Sequence, residues 1–236
     1  MKENVKGEEE DVFVVLDPVI ISTSGQSLIG DKVKQVMIEY LFPYVDLITP
    51  NKFEAEEFLG RKLVTVDDIE QGARDIINME AKAVLIKGGH SLTESINNIN
   101  AKDTTITTTK TTAYAQDYFL SSTEYPTPSK DEERLCDGSR GVWLRSHRVD
   151  SMHTHGTGCT LSSAIAAAMA IGRQQRVQLG SGGDVVGTGA AIAIEAVDAC
   201  CIAKEYVTAG VDQGFQMGEG PRPVAHTHFA SSYDVC

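Results

Sequence analysis

Apolar positions follow two rhythms along this chain, and the changes between them mark out its elements. Short apolar runs at 12–16, 45–48 and 83–86 are of the kind that fill strands buried on both faces of a parallel sheet. Between the first two, Val33, Val36, Met37, Tyr40 and Leu41 recur at helical spacing and predict an amphipathic helix over 31–41, packed on the sheet. Residues 51–59 predict a second helix that stops at Gly60, and Ile69, Ala73, Ile76 and Ile77 predict a third over 66–78. Later runs at 117–120 and 142–145 suggest further strands. From Cys159 the helical rhythm returns through Leu161, Ala164, Ile165, Ala168 and Met169, with Gly172 as the expected stop. Ala190, Ile194, Val197 and Cys201 mark a last long helix over 190–208, with Gly210 able to end it. Strands alternating with helices predict an α/β fold with a mostly parallel sheet flanked by helices.

Three stretches break the rhythm. Residues 1–11 are charged and read as a loose leader. Residues 91–113, threonine-rich over 104–112, read as a disordered insertion, the alternative being a threonine-rich edge hairpin. The glycine-rich 179–183 segment follows no apolar strand, so it reads as a linker between helices and not as a nucleotide loop.

Composition sharpens this picture. A chain of 236 residues, 42% hydrophobic, suffices for one sizeable core and hence a single domain. Lys+Arg 21 against Asp+Glu 33 gives −12, a poor balance for binding nucleic acid or an anionic membrane, so neither is expected as a partner. Cys136, Cys159, Cys200, Cys201 and Cys236 are odd in number without C-x-x-C spacing, which argues for reduced thiols inside a cell. No apolar run reaches membrane-spanning length, and the acidic start suits neither a signal nor a transit peptide. A soluble protein, cytoplasmic or organellar, is expected.

The candidate chemistry gathers around 153–172, HTHGTGCTLSSAIAAAMAIG. Gly156 and Gly158 bracket Thr157 and free the backbone to turn its N–H groups outward at a helix start, a cradle the size of a phosphate. Cys159 falls in the first helical turn, where the positive end of the macrodipole stabilises a thiolate; the plainer alternative is a buried spacer. His153 and His155 with Cys159 lack the fourth ligand and the spacing of a zinc site. Upstream, Asp17 ends the first strand where open α/β sheets bind ligands, and a turn aspartate is the competing explanation. Asn51 and Glu54 are spaced as a helix capping pair. Lys87 puts a cation at the tip of the third strand, followed by Gly88 and Gly89.

At these residues the chain resembles the hydroxymethylpyrimidine and phosphomethylpyrimidine kinases of thiamine biosynthesis, within the ribokinase-like superfamily. HTHGTGCTLSSAIAAA is similar to their anion-hole segment, and Cys159 stands where most ribokinase-like enzymes carry an aspartate base. Asp17-Pro18-Val19 matches their DPV segment, Asn51 to Glu54 their N-x-x-E, and VLIKGGH at 84–90 their VLVKGGH. Residues 218–224 resemble the closing GxGPGPV, with Arg222 where a glycine is usual.

The resemblance implies a ribokinase-like domain over residues 12–229, entered partway, since relatives carry a first strand and an acceptor-binding segment ahead of the DPV strand. It implies phosphorylation of hydroxymethylpyrimidine and its monophosphate with ATP and Mg2+ as cofactors, by a chain whose own turnover is expected to be poor. In that reading Cys159 is the base and Gly156, Thr157 and Gly158 hold the developing anion. Lys87 and Asn51 then join the two glycines in binding ATP phosphates, while Glu54 and Asp17 hold the metal. The partner is a small pyrimidine, and a homodimer is left open. A pyridoxal kinase and a catalytically inactive nucleotide-binding fragment are the alternatives; cysteine at 159 favours the pyrimidine.

Overall fold

The computed structural model describes residues 12–21, 27–88, 114–122, 141–179, 189–216, 219–220 and 222–227, with side chains left aside over 173–195. The expected leader, the threonine-rich insertion and the glycine-rich linker from 180 onward lie outside the described residues.

Five strands form one sheet in the order β1 (Val15–Leu16), β2 (Leu47–Ile48), β3 (Ala83–Ile86), β4 (Tyr114–Ser121) and β5 (Gly141–His147). β1, β2 and β3 are parallel; β4 runs against both β3 and β5. Four of the five strands therefore point the same way, as a mostly parallel α/β fold requires. Helices α1 (Asp31–Tyr40), α2 (Lys52–Leu59) and α3 (Val66–Ile77) lie between β1 and β3 in sequence, and α4 (Thr157–Leu179) and α5 (Gly189–Asp212) follow β5. Among the described residues no helix is long and apolar enough to cross a membrane.

The period of two in a strand divides the core. Ile48, Val84, Ile86, Tyr118, Leu120 and Trp143 face one way and pack with Phe58, Leu63, Ile69, Ala73 and Ile76 from the α2–α3 side. Leu47, Ala83, Leu85, Phe119, Val142 and Leu144 face the other way and meet Leu161, Ile165, Met169, Val197, Cys200 and Ala203 of α4 and α5. Burial on both faces explains why β3 reads as an unbroken apolar run, while the run at 45–48 is interrupted by Asp46, which accepts from Val14 N, so that β2 keeps only Leu47 and Ile48. Trp143 satisfies its indole N–H on buried Glu70 Oε1 at 2.9 Å, so a polar bond crosses the first half of the core.

Four expectations need correction. The run at 12–16 is not a strand buried on both faces: only Val15 and Leu16 pair in β1, both half-buried, while Val12 and Val14 are exposed. Val33, Val36, Tyr40 and Leu41 do not pack on the sheet; they are exposed, and α1 touches the core through Met37 and Ile38. Lys34, on another side of the helix, pairs with Asp31 and Glu57. Gly172 does not end α4, which continues to Leu179. An added Cβ at Gly172 would meet open space, and a lone glycine costs a helix only about 1 kcal/mol relative to alanine. Likewise α5 runs past Gly210 to Asp212.

Where close approach does decide a glycine is Gly141, at the start of β5. A Cβ there would overlap the ring and hydroxyl of fully buried Tyr118, which cannot retreat because it also packs on Trp143. Gly141→Ala is accordingly expected to destabilise by roughly 1–3 kcal/mol, the usual cost of overpacking, as read by urea denaturation. A variant as stable as the wild type would show that this corner is looser than described.

Candidate active site

The parallel strands end at one edge, and the chemistry collects there. Asp17 follows β1, Thr49 follows β2 and Lys87 follows β3, so the register that pairs Leu16 with Ile48 and Ile48 with Val84 also brings their tips together. Lys87 Nζ donates to Asp17 Oδ1 at 2.9 Å, with side chains only 13% and 15% exposed, so the pair is largely screened from water. The Asp17 carboxylate is further held by Ser162 Oγ at 3.3 Å from its Oδ2 and, at the limit of a hydrogen bond, by Thr49 Oγ1 at 3.5 Å from its Oδ1. The Lys87 backbone is fixed too: its N–H donates to Pro50 O at 2.8 Å, and its carbonyl accepts from Lys52 N at 2.9 Å.

The same stretch that grips Lys87 opens α2. Asn51 is its N-cap, with Oδ1 accepting from Glu54 N at 2.9 Å while Glu54 Oε2 accepts from Asn51 N at 2.7 Å, a reciprocal capping box. Glu54 is buried, and burial pushes its carboxyl above the usual range, with the Asp17 charge adding to the rise. The N–H of Asn51, the charge of Lys87 and the N–H of Ile20 pull the other way without reversing it. Capping and a place in the cavity wall coexist in one side chain.

Across the edge, the chain turns at Gly156, whose φ of 85° lies in the region glycine tolerates best. Thr157 then begins α4, two residues before the expected start, with its Oγ1 donating to Thr154 O at 3.0 Å. The amides of the first helical turn have no intrahelical acceptor, which leaves Gly158 and Cys159 presenting N–H groups. Gly158 serves a second purpose: a Cβ there would sit 3.3 Å from Lys87 Nζ, so the glycine makes room for the ammonium. Cys159 is exposed and carries a free thiol. His155 ties the turn to the closing segment, donating to Arg222 O at 3.1 Å and accepting from Val224 N at 3.4 Å.

Asp17, Asn51, Glu54, Lys87 and the 156–159 turn thus line one cavity of about 970 Å³. The structure brings together every site residue expected from the sequence. His153 is not among the lining residues; its ring lies against Gly214, and among the described residues its buried Nδ1 has no hydrogen-bond partner. Among the described residues no three His, Cys, Asp or Glu side chains converge as a metal cluster.

Sequence reasoning missed Asp117 and Lys204. Asp117 Oδ1 accepts from Gly88 N at 2.9 Å and Oδ2 takes the Lys204 ammonium, all at the cavity wall. One carboxylate therefore ties β4, α5 and the residue after Lys87 together. A polar residue inside an otherwise apolar strand run was the available signal. Asp117→Ala is expected to destabilise by about 3–5 kcal/mol, because it strands a buried ammonium. The Asp117→Ala, Lys204→Met pair should recover much of that in urea denaturation, whereas equal losses in the single and double variants would remove the ion pair as the cause.

Known proteins resemble this chain in sequence and in fold. The sequence model of the phosphomethylpyrimidine kinase family matches residues 2–124 and 121–188. A hydroxymethylpyrimidine/phosphomethylpyrimidine kinase of Streptomyces coelicolor is 29% identical over 216 residues, covering 92% of this chain and 59% of its own length. The enzyme of that name from Haemophilus influenzae is 30% identical over 213 residues, covering 90% and 60%. The chain thus spans about three fifths of the length of the curated relatives it matches. Among solved structures, an ADP complex of Bacillus subtilis pyridoxal kinase superimposes with a TM-score of 0.58 at 25% identity, covering 92% of this chain and 60% of that one. With its helix-borne GTGC turn facing a strand-tip lysine across a single cavity, and a family match over most of its length, this chain belongs to the phosphomethylpyrimidine kinase family.

Proposed function

We propose that residues 12–229 form one domain carrying the phosphoryl-transfer site of an ATP-dependent kinase, whose acceptor is hydroxymethylpyrimidine and its monophosphate. The observation that carries the reading is Lys87 Nζ beside Gly158, at the open end of α4, in a cavity shared with Glu54. The names of the curated relatives support the pyrimidine, as does cysteine after GTG at position 159. A B6-vitamer acceptor is the second reading, favoured by the likeness to a pyridoxal kinase fold.

Transfer of a phosphoryl group is mainly positioning and charge stabilisation. The amides of Gly158 and Cys159 face the charge that develops on the moving group, and Gly156 and Thr157 shape the turn that aims them. Lys87, released from Asp17, neutralises phosphate oxygens, while Asn51 keeps the α2 entry in place beside them. Cys159 Sγ is the base that takes the acceptor hydroxyl proton; the acceptor oxygen bonds to the γ-phosphorus as the bond to the bridging oxygen breaks, and ADP leaves with that electron pair.

A magnesium ion fits the residues present. Asp17 and Glu54 are close enough that the charge of one raises the proton affinity of the other, a repulsion that a divalent cation relieves. Magnesium commonly uses one or two carboxylates and fills its shell with water and phosphate oxygens, so two suffice. When bound it would supply charge neutralisation of the nucleotide phosphates.

Two outcomes are expected. Cys159→Ala should lower the rate of ADP release with Mg-ATP and 4-amino-5-hydroxymethyl-2-methylpyrimidine by roughly 100-fold or more, with ATP affinity kept. Release as fast as wild type would remove Cys159 as the base, and a faster rate with pyridoxal would favour the B6 acceptor. Second, because the folded chain holds the Glu54 proton more tightly than the unfolded chain, stability falls as pH rises from the ordinary glutamate range through the raised native value. Glu54→Gln keeps a capping acceptor and removes that fall, so its gain in stability over wild type should be larger at pH 7 than at pH 4. Urea denaturation at both pH values decides it.

A further inference from the structure

Among the described residues, two guanidinium groups of the cavity wall form no ion pair, that of half-buried Arg222 and that of exposed Arg148, although Asp150 lines the same cavity. Arg148 follows β5 and Arg222 lies on the closing segment, both lining the cavity that holds Lys87 and the 156–159 turn. The two ammonium groups there are already neutralised, Lys87 by Asp17 and Lys204 by Asp117. The Arg222 side chain donates from Nη1 to Met152 Sδ at 3.3 Å, and a thioether is a weak acceptor that leaves most of the five-donor fork unused. In a chain of net charge −12, a half-buried cation with so poor a partner is out of keeping with its surroundings.

The root of that side chain is well placed. The Arg222 carbonyl accepts from His155 N at 3.1 Å, and Pro223 pairs with His155 as a parallel bridge, so the guanidinium springs from the residue facing the start of the cradle. A planar fork of this kind matches a phosphate through two parallel hydrogen bonds. Arg222 also stands where the resemblance leads one to expect glycine, a position at which a side chain is an addition.

We propose that Arg222, assisted by Arg148, forms a second phosphate subsite in this cavity, distinct from the backbone cradle at 156–159, for a phosphate that is not the one transferred. The identity of the ligand rests on the kinase reading, whereas the subsite itself does not. Two sources share this chemistry: the remaining phosphates of a nucleotide, and the phosphate of an already phosphorylated acceptor.

Calorimetric titration with inorganic pyrophosphate tests it on the whole protein without requiring turnover. Arg222→Gln should weaken pyrophosphate at least roughly tenfold, as loss of a charged hydrogen bond implies, and Arg222→Lys, keeping charge but not the fork, should fall between. Arg148→Gln should show a smaller loss, and thermal melting should stay at the wild-type value in all three. Paired titrations then identify the source: ADP against adenosine, and the pyrimidine monophosphate against its alcohol. Arg222→Gln should penalise only the phosphorylated member of one pair. The proposal is overturned if pyrophosphate binds wild type and Arg222→Gln equally, if it binds neither, or if phosphorylated and unphosphorylated ligands lose alike. A pyrophosphate effect in a protein that binds neither ADP nor ATP would leave the subsite standing and remove the kinase reading.

Discussion

The ion pair between Lys87 and Asp17 spans the gap between the first and third parallel strands, and much of the cavity is arranged to keep it in place. Each partner sits where a strand ends and its side chain is free to turn along the sheet edge. Ser162 on α4 reaches the same carboxylate, while Gly158, one turn earlier, leaves the ammonium its space. A largely desolvated pair in this setting is held by geometry more than by net energy, because burial costs both ions much of what their attraction returns. What it provides is a cation already placed beside the amides of a helix start, able to exchange a carboxylate for a phosphate.

Charge is handled locally throughout. The chain is strongly acidic, while the cavity wall sets Lys87, Lys204, Arg148 and Arg222 against Asp17, Glu54, Asp117 and Asp150. An anionic ligand approaching such a molecule is repelled at a distance and must be won by short-range donors, which are more strongly felt where water is excluded. Glu54 shows the opposite balance: burial, with the Asp17 charge added, raises its carboxyl above the usual range.

Much of the architecture was legible from the rhythm of apolar residues. The helices from 51 and from 66, and the strand at 83–86, follow directly from periodicity and caps, since each depends on neighbours one turn or two residues away. The GTGC turn and the lysine at a strand tip were legible for a similar reason: they are local shapes with local chemistry. Errors came where a local preference met a stronger nonlocal one. The core receives α1 through Met37 and Ile38 and leaves its apolar stripe exposed, and Gly172 stayed helical because nothing around it demanded a turn.

By itself, then, the order of residues determined which segments become strands and helices and which short motifs present amides, a thiol or an ammonium, because those follow from backbone sterics and near neighbours. Only the tertiary structure decided that Asp17, Lys87 and Gly158, far apart in sequence, share one edge, that Asp117 and Lys204 brace it, and that Arg222 lies in the same wall. Strand register and helix docking settle these meetings. They depend on how both faces of the sheet are filled at once, a condition that no single stretch of sequence contains.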